Sequence, residues 1–360
     1  MRLTAFIFLV ASAISSWSPL AAQDNPMPMS FIHADEWQAY QDAYVGEDGR
    51  VVDVFNNNIS HSESQGYGML LAVLAQDRAG FERIWSFTQT ELMIRDDGLA
   101  AWRWDPAAEP HITDINNATD GDILIAYALA LADQRWGVPD YVQQATEIAR
   151  TVGETLLAEA NGLTVILPGA EGFSAAARED GPVINPSYWV FEAFPVLAEL
   201  TPDIGWKGIE EDGLALLDRL MADGMPPADW VSLAGDVPVP AGDFPPEFGY
   251  NNVRVPLYLI RAGLDHSGQL ERLGMIFDES YAPAIIDVTT GERIEPMGEA
   301  GYRIIGAARA CVLYGTPIPP ELQAFSPQSY YGATMHLLTL AHLRQRHNEC
   351  LAPENAEGQS

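Results

Sequence analysis

Positive charge is scarce in this sequence, and lysine is almost absent. Its 360 residues include 19 Lys and Arg against 50 Asp and Glu, which gives a formal net charge of −31. The only lysine is Lys207. Nucleic acids and anionic membrane surfaces are themselves negatively charged, so this balance excludes both as expected partners. A surface rich in acidic residues and poor in lysine also suits a salty medium.

Long apolar segments are missing after the N-terminus. Residues 3–17 form a short apolar run behind Arg2, and small residues precede a change to polar sequence near Ala22, which is the pattern of a secretory signal peptide. No later run of 18 apolar residues exists, so we expect no membrane insertion after cleavage. We predict a periplasmic or secreted protein with a signal peptide over 1–22, one domain over 23–348 and a disordered tail over 349–360.

Cysteine and histidine are also few. Cys311 and Cys350 are the only cysteines, and the seven histidines form no HxxxH pair. Neither residue type shows the spacing of a metal site, and we expect no metal and no cofactor. Export permits a disulfide, so a single bridge and two free buried thiols both remain open.

Helical periodicity is the main pattern that is present. Hydrophobic residues make up 48% of the chain, which excludes disorder along most of its length. We find no long alternating strand pattern. The predicted helices cover residues 34–45, 65–78, 79–93, 121–135, 140–158, 187–200, 208–223, 252–262, 267–278, 301–314 and 330–346.

The helices are of two kinds. Segments 67–75 and 123–132 are apolar or small on every side, which is typical of buried helices, whereas 140–158 has one polar face. Buried helices that alternate with amphipathic ones predict an inner and an outer layer around one core. The sequence therefore favours an all-α, double-ring helical barrel of a single domain. An α-solenoid is the alternative, but the sequence has no fixed repeat.

Two segments place acidic residues at predicted helix starts. In SHSESQGYGM (60–69), Ser62 and Gln65 have the spacing of a capping box and Glu63 falls in the first turn. The glycines at 66 and 68 are unfavourable early in a helix and indicate a close approach to the backbone. In NNATDGD (116–122), Asp120 and Asp122 precede a helix that is apolar on every side. Each acid is a reasonable cap, but buried charge is costly unless it is paired or used.

Aromatic residues are concentrated in or beside the predicted loops. Any one of them has an ordinary structural explanation, but together they predict a groove with flat walls. The flat CH faces of sugar rings stack on aromatic rings, and sugar hydroxyls need Asp, Asn and Arg partners. The pattern therefore predicts a binding site for a neutral polysaccharide. The loop aromatics are Trp102, Trp104, Tyr188, Trp189, Trp230, Tyr250, Tyr330 and Tyr331.

Four motifs carry a resemblance to a known family. SHSESQGYGM, NNATDGDILIAYALALADQRW, INPSYW and FGYNNVRVPLYL resemble, in the right order, the motifs of the family-8 glycoside hydrolases, over about residues 34–346. The resemblance implies an (α/α)6 barrel and an inverting endo-β-1,4-glucanase (a cellulase) that acts on β-glucan. Within the family the pattern is most similar to the periplasmic endoglucanases encoded beside bacterial cellulose synthases, which implies a cellulose synthase complex as a partner and a link to cellulose or exopolysaccharide production.

The resemblance also assigns roles by position. Glu63 matches the general acid, and Asp120 matches the carboxylate that holds and distorts the sugar at the cleavage point. Trp102, Tyr188 and Arg254 match residues that line the substrate cleft, and we extend this set of substrate-binding residues to Trp230, Tyr250, Tyr330 and Tyr331. A helix start favours the ionised form of a carboxylate, so an acid at Glu63 requires burial and a neighbouring carboxylate, for which Asp120 is the candidate.

The catalytic base is the point at which this sequence departs from the family. The family pattern is YDAxR, whose Asp activates water, but here Tyr250 is followed by Asn251, and an amide is not a useful base. An inverting mechanism needs a second carboxylate. Three outcomes stay open: Asp243 or Glu247 reaches in from the preceding loop, Asp120 serves instead, or the protein binds glucan and cuts it poorly or not at all.

The substrate also stays open at this point. A weakly active or non-catalytic glucan-binding relative is the main alternative to a glucanase, and xylanase, lichenase or chitosanase activity is a further one. The strong negative charge favours a neutral or cationic glycan over an acidic one.

Overall fold

The structure is a computed structural model that describes residues 30–264 and 268–351. The predicted signal peptide over 1–22 lies outside the described residues, as do residues 352–360 of the predicted tail. The first residues of that tail are described. Asn348–Cys350 forms a 3-10 turn, so the described fold continues to Leu351.

Twelve α-helices form the framework of the described chain. In chain order they are α1 Ala34–Tyr44, α2 Ser62–Leu74, α3 Arg78–Phe87, α4 Thr119–Trp136, α5 Pro139–Thr155, α6 Phe194–Leu200, α7 Trp206–Leu220, α8 Val255–Arg261, α9 Gly268–Arg272, α10 Ala300–Tyr314, α11 Pro320–Gln323 and α12 Tyr330–Arg346.

The even-numbered helices form a closed inner ring. Helix α2 packs on α4, and α4 packs on α6. The 3-10 turn Phe191–Ala193, directly before α6, packs on α8, which is followed around the ring by α10 and α12. Helix α12 returns to α2 and closes the ring. Each odd-numbered helix packs on one inner helix: α1 on α12, α3 on α2, α5 on α4, α7 on α6, α9 on α8 and α11 on α10. The predicted double-ring (α/α)6 barrel is confirmed.

The burial of the helices follows their sequence patterns. Every residue from Ser64 to Val73 in α2 and from Thr119 to Ala130 in α4 is buried. In the outer helix α5, only one face is buried, with Tyr141, Ile148 and Val152 among its contacts. A helix enclosed by neighbours on all sides must be apolar or small all round, whereas an outer helix needs a single apolar stripe.

The helix boundaries differ from the prediction where the chain turns. Helix α2 begins three residues before the predicted 65–78, because His61 caps it with a side-chain nitrogen that accepts from the Ser64 amide. Gln65 is not part of a capping box. It is fully buried, and its side chain accepts from the Val51 amide and donates to Thr88 Oγ1.

Several predicted helices are split into shorter pieces. The predicted helix 187–200 consists of the 3-10 turns Pro186–Tyr188 and Phe191–Ala193 followed by α6. Another 3-10 turn, Asn252–Arg254, precedes α8, and the four-residue helix α11 is not predicted. A π-helical turn over Thr88–Leu92 follows α3, and the 3-10 turn Leu273–Ile276 follows α9.

Short strands connect the helices, although the sequence predicted none. Strands of two to four residues are too short to show alternation in a sequence window. They form four small antiparallel sheets, in the orders β1-β2, β3-β4, β5-β6-β7 and β10-β9-β8. The strands are β1 Ser60–His61, β2 Arg103–Trp104, β3 Leu157–Ala160, β4 Leu163–Ile166, β5 Val183–Ile184, β6 Val231–Ser232, β7 Val239–Pro240, β8 Glu247–Phe248, β9 Ala284–Asp287 and β10 Arg293–Pro296.

The two cysteines are joined to each other. Cys311 in α10 and Cys350 in the 3-10 turn after α12 form a disulfide with a Cα–Cα distance of 5.9 Å. The bridge therefore fastens the end of the inner ring to its neighbouring helix, and of the two alternatives left open by the sequence it is the bridge that forms. Among the described residues, no helix is both long and apolar enough to cross a bilayer.

Candidate active site

Two helix starts bring two carboxylates to one end of the barrel. Glu63 is the second residue of α2 and Asp120 the second residue of α4. Glycine allows these helices to touch there: a Cβ on Gly121 would lie 2.1 Å from Ser62 Oγ, and one on Gly66 would lie 2.6 Å from Leu124 Cβ. The close approach predicted for Gly66 is therefore that of the neighbouring helix.

A single arginine binds both carboxylates. The Arg254 guanidinium donates to Glu63 Oε2 through one terminal nitrogen and to Asp120 Oδ2 at 2.6 Å through the other. It also donates to Ser187 Oγ at 2.8 Å and to the Tyr67 hydroxyl at 3.3 Å. Arg254 is 1% exposed and does not line the cleft. It therefore does not contact substrate directly, contrary to the prediction. Its role is to hold the carboxylates of Glu63 and Asp120 in place.

The two acids differ in accessibility. The Asp120 side chain is 3% exposed and that of Glu63 is 18% exposed. Burial and the nearby charge of Glu63 raise the pKa of Asp120, although Arg254 and the Gly121 amide oppose the shift. Arrangements of this kind, in which buried carboxylates with perturbed pKa values lie beside a cleft, are typical of catalytic sites.

Asp122 has a structural role in the same helix start. Its two oxygens accept from the Ala100 amide at 2.9 Å and from Asn117 Nδ2 at 2.8 Å. Burial raises the pKa of Asp122 to about 7, although these hydrogen bonds act in the opposite direction. Asp122 does not line the cleft, and it ties the loop before α4 to the chain around Ala100.

His61 lies between Glu63 and a further carboxylate. Its Nδ1 is 3.9 Å from Glu63 Oε1, and its Nε2 is 3.7 Å from Asp53 Oδ2. Burial lowers the pKa of His61, but the charges of Asp53, Glu63 and Asp120 outweigh burial and raise it above the ordinary value. Asp53 ends the segment EDGRVVD, and the sequence offered no spacing that would place it in the site.

The acids face a cleft with a volume of about 660 Å³. Three buried hydroxyl groups on its lining have no hydrogen-bond partner within residues 30–264 and 268–351: Ser62, Tyr330 and Tyr331. Burial raises the pKa of both tyrosines well above the ordinary value, so they remain protonated donors. Buried polar groups normally have partners, and these hydroxyls therefore suit a ligand that is itself rich in hydroxyl groups.

Of the eight loop aromatics, six are predicted to bind substrate, and five of those six line this cleft: Trp102, Tyr188, Tyr250, Tyr330 and Tyr331. Strand β2 and a hydrogen bond from the Ser62 amide to the Trp102 carbonyl at 3.0 Å hold Trp102 against the start of α2. Tyr250 is 48% exposed and Tyr188 is buried. The walls are thus aromatic, as the sequence predicted.

Trp230 is the exception among the predicted aromatic residues. Phe244 stacks on its ring at a centroid distance of 4.5 Å, and Phe173 stacks on it at 5.6 Å. Trp230 does not line the cleft but packs edge-on against Tyr188, which does. Because other rings already stack on Trp230, its role is to support the wall rather than to bind a sugar.

Neither loop carboxylate predicted as a candidate base lies in the cleft. The Asp243 side chain is 90% exposed and lies 3.6 Å from Arg178, on the outside of the loop. Glu247 belongs to β8, where it pairs with Asp287 of β9, and its carbonyl accepts from the Asp229 amide. Arg178 and the β8–β9 pairing hold both residues away from the cleft, so this expectation is wrong.

Asn251 does line the cleft, and a buried acid holds it in place. The Asp229 residue is 5% exposed. Its Oδ2 accepts from the backbone amide of Asn251 and, at 3.1 Å, from Asn251 Nδ2. Its Oδ1 accepts from the backbone amides of Gly249 and Asn252. Burial raises the pKa of Asp229, although these hydrogen bonds lower it. Because the Asn251 Nδ2 points to Asp229, its amide oxygen is the atom that remains for the cleft.

Sequence reasoning missed four residues of the site. Asp53, Glu299 and Tyr302 line the cleft, and Asp229 lies behind Asn251. Asp229 stands in the triplet ADW, where only Trp230 was singled out, and no local pattern marks the others. Within the described ranges, no group of three or more His, Cys, Asp or Glu side chains is arranged to hold a metal ion.

Comparison with known proteins agrees with this geometry. The family model described as "Glycosyl hydrolases family 8" matches residues 7–344. A probable endoglucanase of Novacetimonas hansenii is 35% identical over 313 residues, which cover 85% of this chain and 89% of that protein. An endoglucanase of Cellulomonas uda is 36% identical over 271 residues, 74% of each chain. The solved structure of a family 8 endoglucanase from Klebsiella pneumoniae matches with a TM-score of 0.78 and 33% identity, over 87% of this chain and all of that one.

Proposed function

The chain belongs to glycosyl hydrolase family 8, and from this premise we propose that it is an exported endo-β-1,4-glucanase that cleaves β-glucan with inversion. One observation carries the proposal: Arg254 binds Glu63 and Asp120 at the base of an aromatic cleft with unpartnered hydroxyl groups. The two relatives and the solved structure described above are endoglucanases by name, which supports the same reaction.

Glu63 acts as the general acid in this proposal. It is the more exposed of the two acids and lines the cleft from the start of α2, so its proton can reach the departing glycosidic oxygen. Asp120 hydrogen-bonds a hydroxyl of the sugar at the cleavage point. The hydroxyl groups of Tyr330 and Tyr331 donate to further sugar oxygens, while Trp102 and Tyr250 stack on ring faces.

The arginine fixes the geometry of both acids. Its two terminal nitrogens set Glu63 and Asp120 side by side, so that an acid catalyst and a sugar-binding carboxylate keep a constant separation during turnover. Planar guanidinium groups form such paired contacts better than lysine does. This explains why an arginine occupies a fully buried position here.

The protein is exported in this proposal and serves cellulose or exopolysaccharide production in partnership with a cellulose synthase complex. The signal pattern over residues 1–22 supports export, and the motif resemblance to endoglucanases encoded beside cellulose synthases supports the partnership. Fractionation of cells that carry the native gene tests the first part. Recovery of the protein in the cytoplasm, with residues 1–22 still attached, would refute export.

A panel of polysaccharides tests the activity. The chain from residue 23 onward is incubated with carboxymethyl cellulose, lichenan, xylan and chitosan, with Glu63→Gln as the matched variant. We expect new reducing ends on the two β-glucans, products of inverted anomeric configuration by NMR, and no such ends with the variant. Wild-type activity confined to xylan or chitosan would assign a different substrate.

A glucan-binding protein with little turnover is the second candidate, and Asn251 is the observation that favours it. It predicts micromolar binding of cellohexaose with turnover that is the same in wild type and in Glu63→Gln. Calorimetry and reducing-end assays on both proteins separate the candidates, because an enzyme loses turnover in the variant while a pure binding protein does not.

A further inference from the structure

We propose that Asp53 is the carboxylate that activates the attacking water, in the place of the base that Asn251 cannot supply. The inference deepens the proposed function and rests on it. An inverting glycosidase needs two carboxylates, one to protonate the leaving oxygen and one to take a proton from water on the opposite face of the sugar. The described lining of the cleft contains four acids: Asp53, Glu63, Asp120 and Glu299.

Asp120 is not free to take this role. It is 2% exposed and is already bound by Arg254 and the Gly121 amide. It also shares the Arg254 guanidinium with Glu63, so the two carboxylates stand side by side. Inverting enzymes instead place their two carboxyl groups on opposite faces of the sugar.

The His61 ring separates Asp53 from Glu63 and limits the distance between the two carboxylates. Asp53 lies on the opposite edge of the His61 ring from Glu63, with contacts of 3.7 Å and 3.9 Å to the two ring nitrogens. The two carboxylates are therefore at most about 10 Å apart, a limit that includes the range of inverting enzymes. Its side chain is 19% exposed, which is close to the exposure of Glu63.

The contacts of Asp53 also leave it available to act as a base. His61 Nδ1 accepts from the Ser64 amide, so the neutral ring carries its hydrogen on Nε2, which faces Asp53. No arginine or lysine forms an ion pair with Asp53 in the part of the chain that the structure describes, so its oxygens are not taken up by a cation as those of Asp120 are.

Asp53 lines the same cleft as Asn251 and Glu63. The carboxylate, the acid and the residue at the position of the family's usual base therefore all face the space that a bound sugar chain would occupy.

Glu299 is the rival among the cleft acids, and its hydrogen bonds disfavour it. Its Oε2 accepts from both the amide and the hydroxyl of Ser329, at 3.1 Å and 2.6 Å, which ties it to the start of α12. One of its two carboxylate oxygens is therefore already taken up by the protein.

The proposed step balances as a hydrolysis. The water oxygen forms a bond to the anomeric carbon while the bond from that carbon to the glycosidic oxygen breaks. Asp53 takes the proton of the water, and Glu63 gives its proton to the departing oxygen. The new reducing end is a hemiacetal of inverted configuration. Proton exchange with solvent then returns Asp53 to its carboxylate form and Glu63 to its protonated form.

Azide rescue tests the proposal on the mature protein with cellohexaose as substrate. We expect Asp53→Ala to lower turnover by about 10²–10⁴-fold, the usual effect of losing a general base. Sodium azide should then restore cleavage and yield a glycosyl azide of inverted configuration, because azide needs no base. Asp53→Asn should lose turnover in the same way but bind cellohexaose as tightly as wild type does, which excludes misfolding as the cause.

Asp243→Ala is the control, since this carboxylate is exposed and lies outside the cleft, and Glu299→Ala tests the rival acid. We expect Asp243→Ala to keep wild-type turnover and Glu299→Ala to form no azide product. Turnover by Asp53→Ala above a tenth of wild type, or azide rescue of Glu299→Ala instead, would overturn the assignment. A wild-type protein that cuts none of the β-glucans would refute the proposed function and the base together, whereas an active wild type with an active Asp53→Asn refutes the base alone.

Discussion

Two arginine–carboxylate clusters lie at opposite ends of helix α8, and they differ in how many acids share the cation. Arg254, directly before α8, binds Glu63 and Asp120. Arg261, its last residue, binds Glu192 alone at 2.6 Å and donates to the Leu338 carbonyl at 2.9 Å. Both arginine side chains are nearly fully buried, so burial of an ion pair does not by itself mark a catalytic site.

Access separates the clusters as well. Glu63 is 18% exposed and borders the aromatic cleft beside three other acids, whereas Glu192 is 4% exposed and accepts from the Tyr127 hydroxyl. Glu192 borders a separate cavity of about 520 Å³, on whose described lining it is the one acid. The first cluster thus presents an exposed acid to a cleft with several acids, and the second is a one-to-one ion pair that is nearly buried.

The largest expected effect comes from removing the charge of one acid in each cluster. We expect Glu63→Gln to lower kcat on carboxymethyl cellulose by about 10²–10⁴-fold, because the leaving oxygen loses its proton donor. Glu192→Gln should keep kcat but lower the free energy of unfolding by about 3 kcal/mol, because Arg261 loses its counter-charge. Reducing-end assays and urea titrations measure both, and equal losses of activity in the two variants would contradict the distinction.

Asp122 is a buried acid without a direct arginine partner, and it extends the comparison to the dependence of stability on pH. The pKa of Asp122 is raised to about 7 in the folded protein from an ordinary value of 3.8. The folded state therefore holds a proton that the unfolded state releases, and stability from this group is fully present below pH 4 and is lost as pH rises to about 7. The unfolding free energy of wild type relative to Asp122→Asn should fall across that window by a few kcal/mol. A difference that is constant with pH would show that Asp122 is ionised throughout.

Substitution of the two tryptophans of the cleft region should change different properties, substrate binding in one case and stability in the other. Trp102→Ala removes a face that lines the cleft, and we expect KM for cellohexaose to rise by about tenfold, with little change in stability. Trp230→Ala removes a ring between Phe173 and Phe244, and we expect about 2 kcal/mol of destabilisation with KM nearly unchanged. Steady-state kinetics and thermal unfolding test the pair, and a KM effect confined to Trp230→Ala would reverse the roles.

The smallest effect is expected at the loop carboxylate that the sequence suggested as a base. Asp243 forms an exposed contact with Arg178, and such pairs contribute only about 0–1 kcal/mol. Asp243→Asn should leave kcat unchanged and shift the unfolding midpoint little. A hundredfold loss of kcat in this variant would show that the loop closes over the cleft during turnover.

The architecture and the first acid were predictable from the sequence because their signals are local. Apolar residues on all sides of 123–132 predicted a buried helix, and acids at helix starts drew attention to Glu63 and Asp120. The Ser62–Gln65 spacing was misleading for a tertiary reason: Gln65 is buried against Val51 and Thr88 instead of capping its own helix.

The second half of the site was not predictable in the same way. Asn251 stands where the resemblance places the base, and nearness in sequence then favoured Asp243 and Glu247, which β-pairing and Arg178 hold outside the cleft. Asp53, which precedes Glu63 by ten residues, lies in the cleft because the loop between α1 and α2 folds back over the start of α2, where the Asp53 amide donates to the Ile59 carbonyl.

By itself, the sequence determined the helical double ring, the aromatic character of the groove and the acid at the start of α2, since each depends on spacing within one segment. The tertiary structure decided which charges meet: Arg254 reaches Glu63 across 191 residues and Asp120 across 134. It also decided that the two cysteines are joined and that Trp230 lies behind the wall. Periodicity fixes which face of a helix is buried, but only closure of the ring selects the side chains that share that buried space.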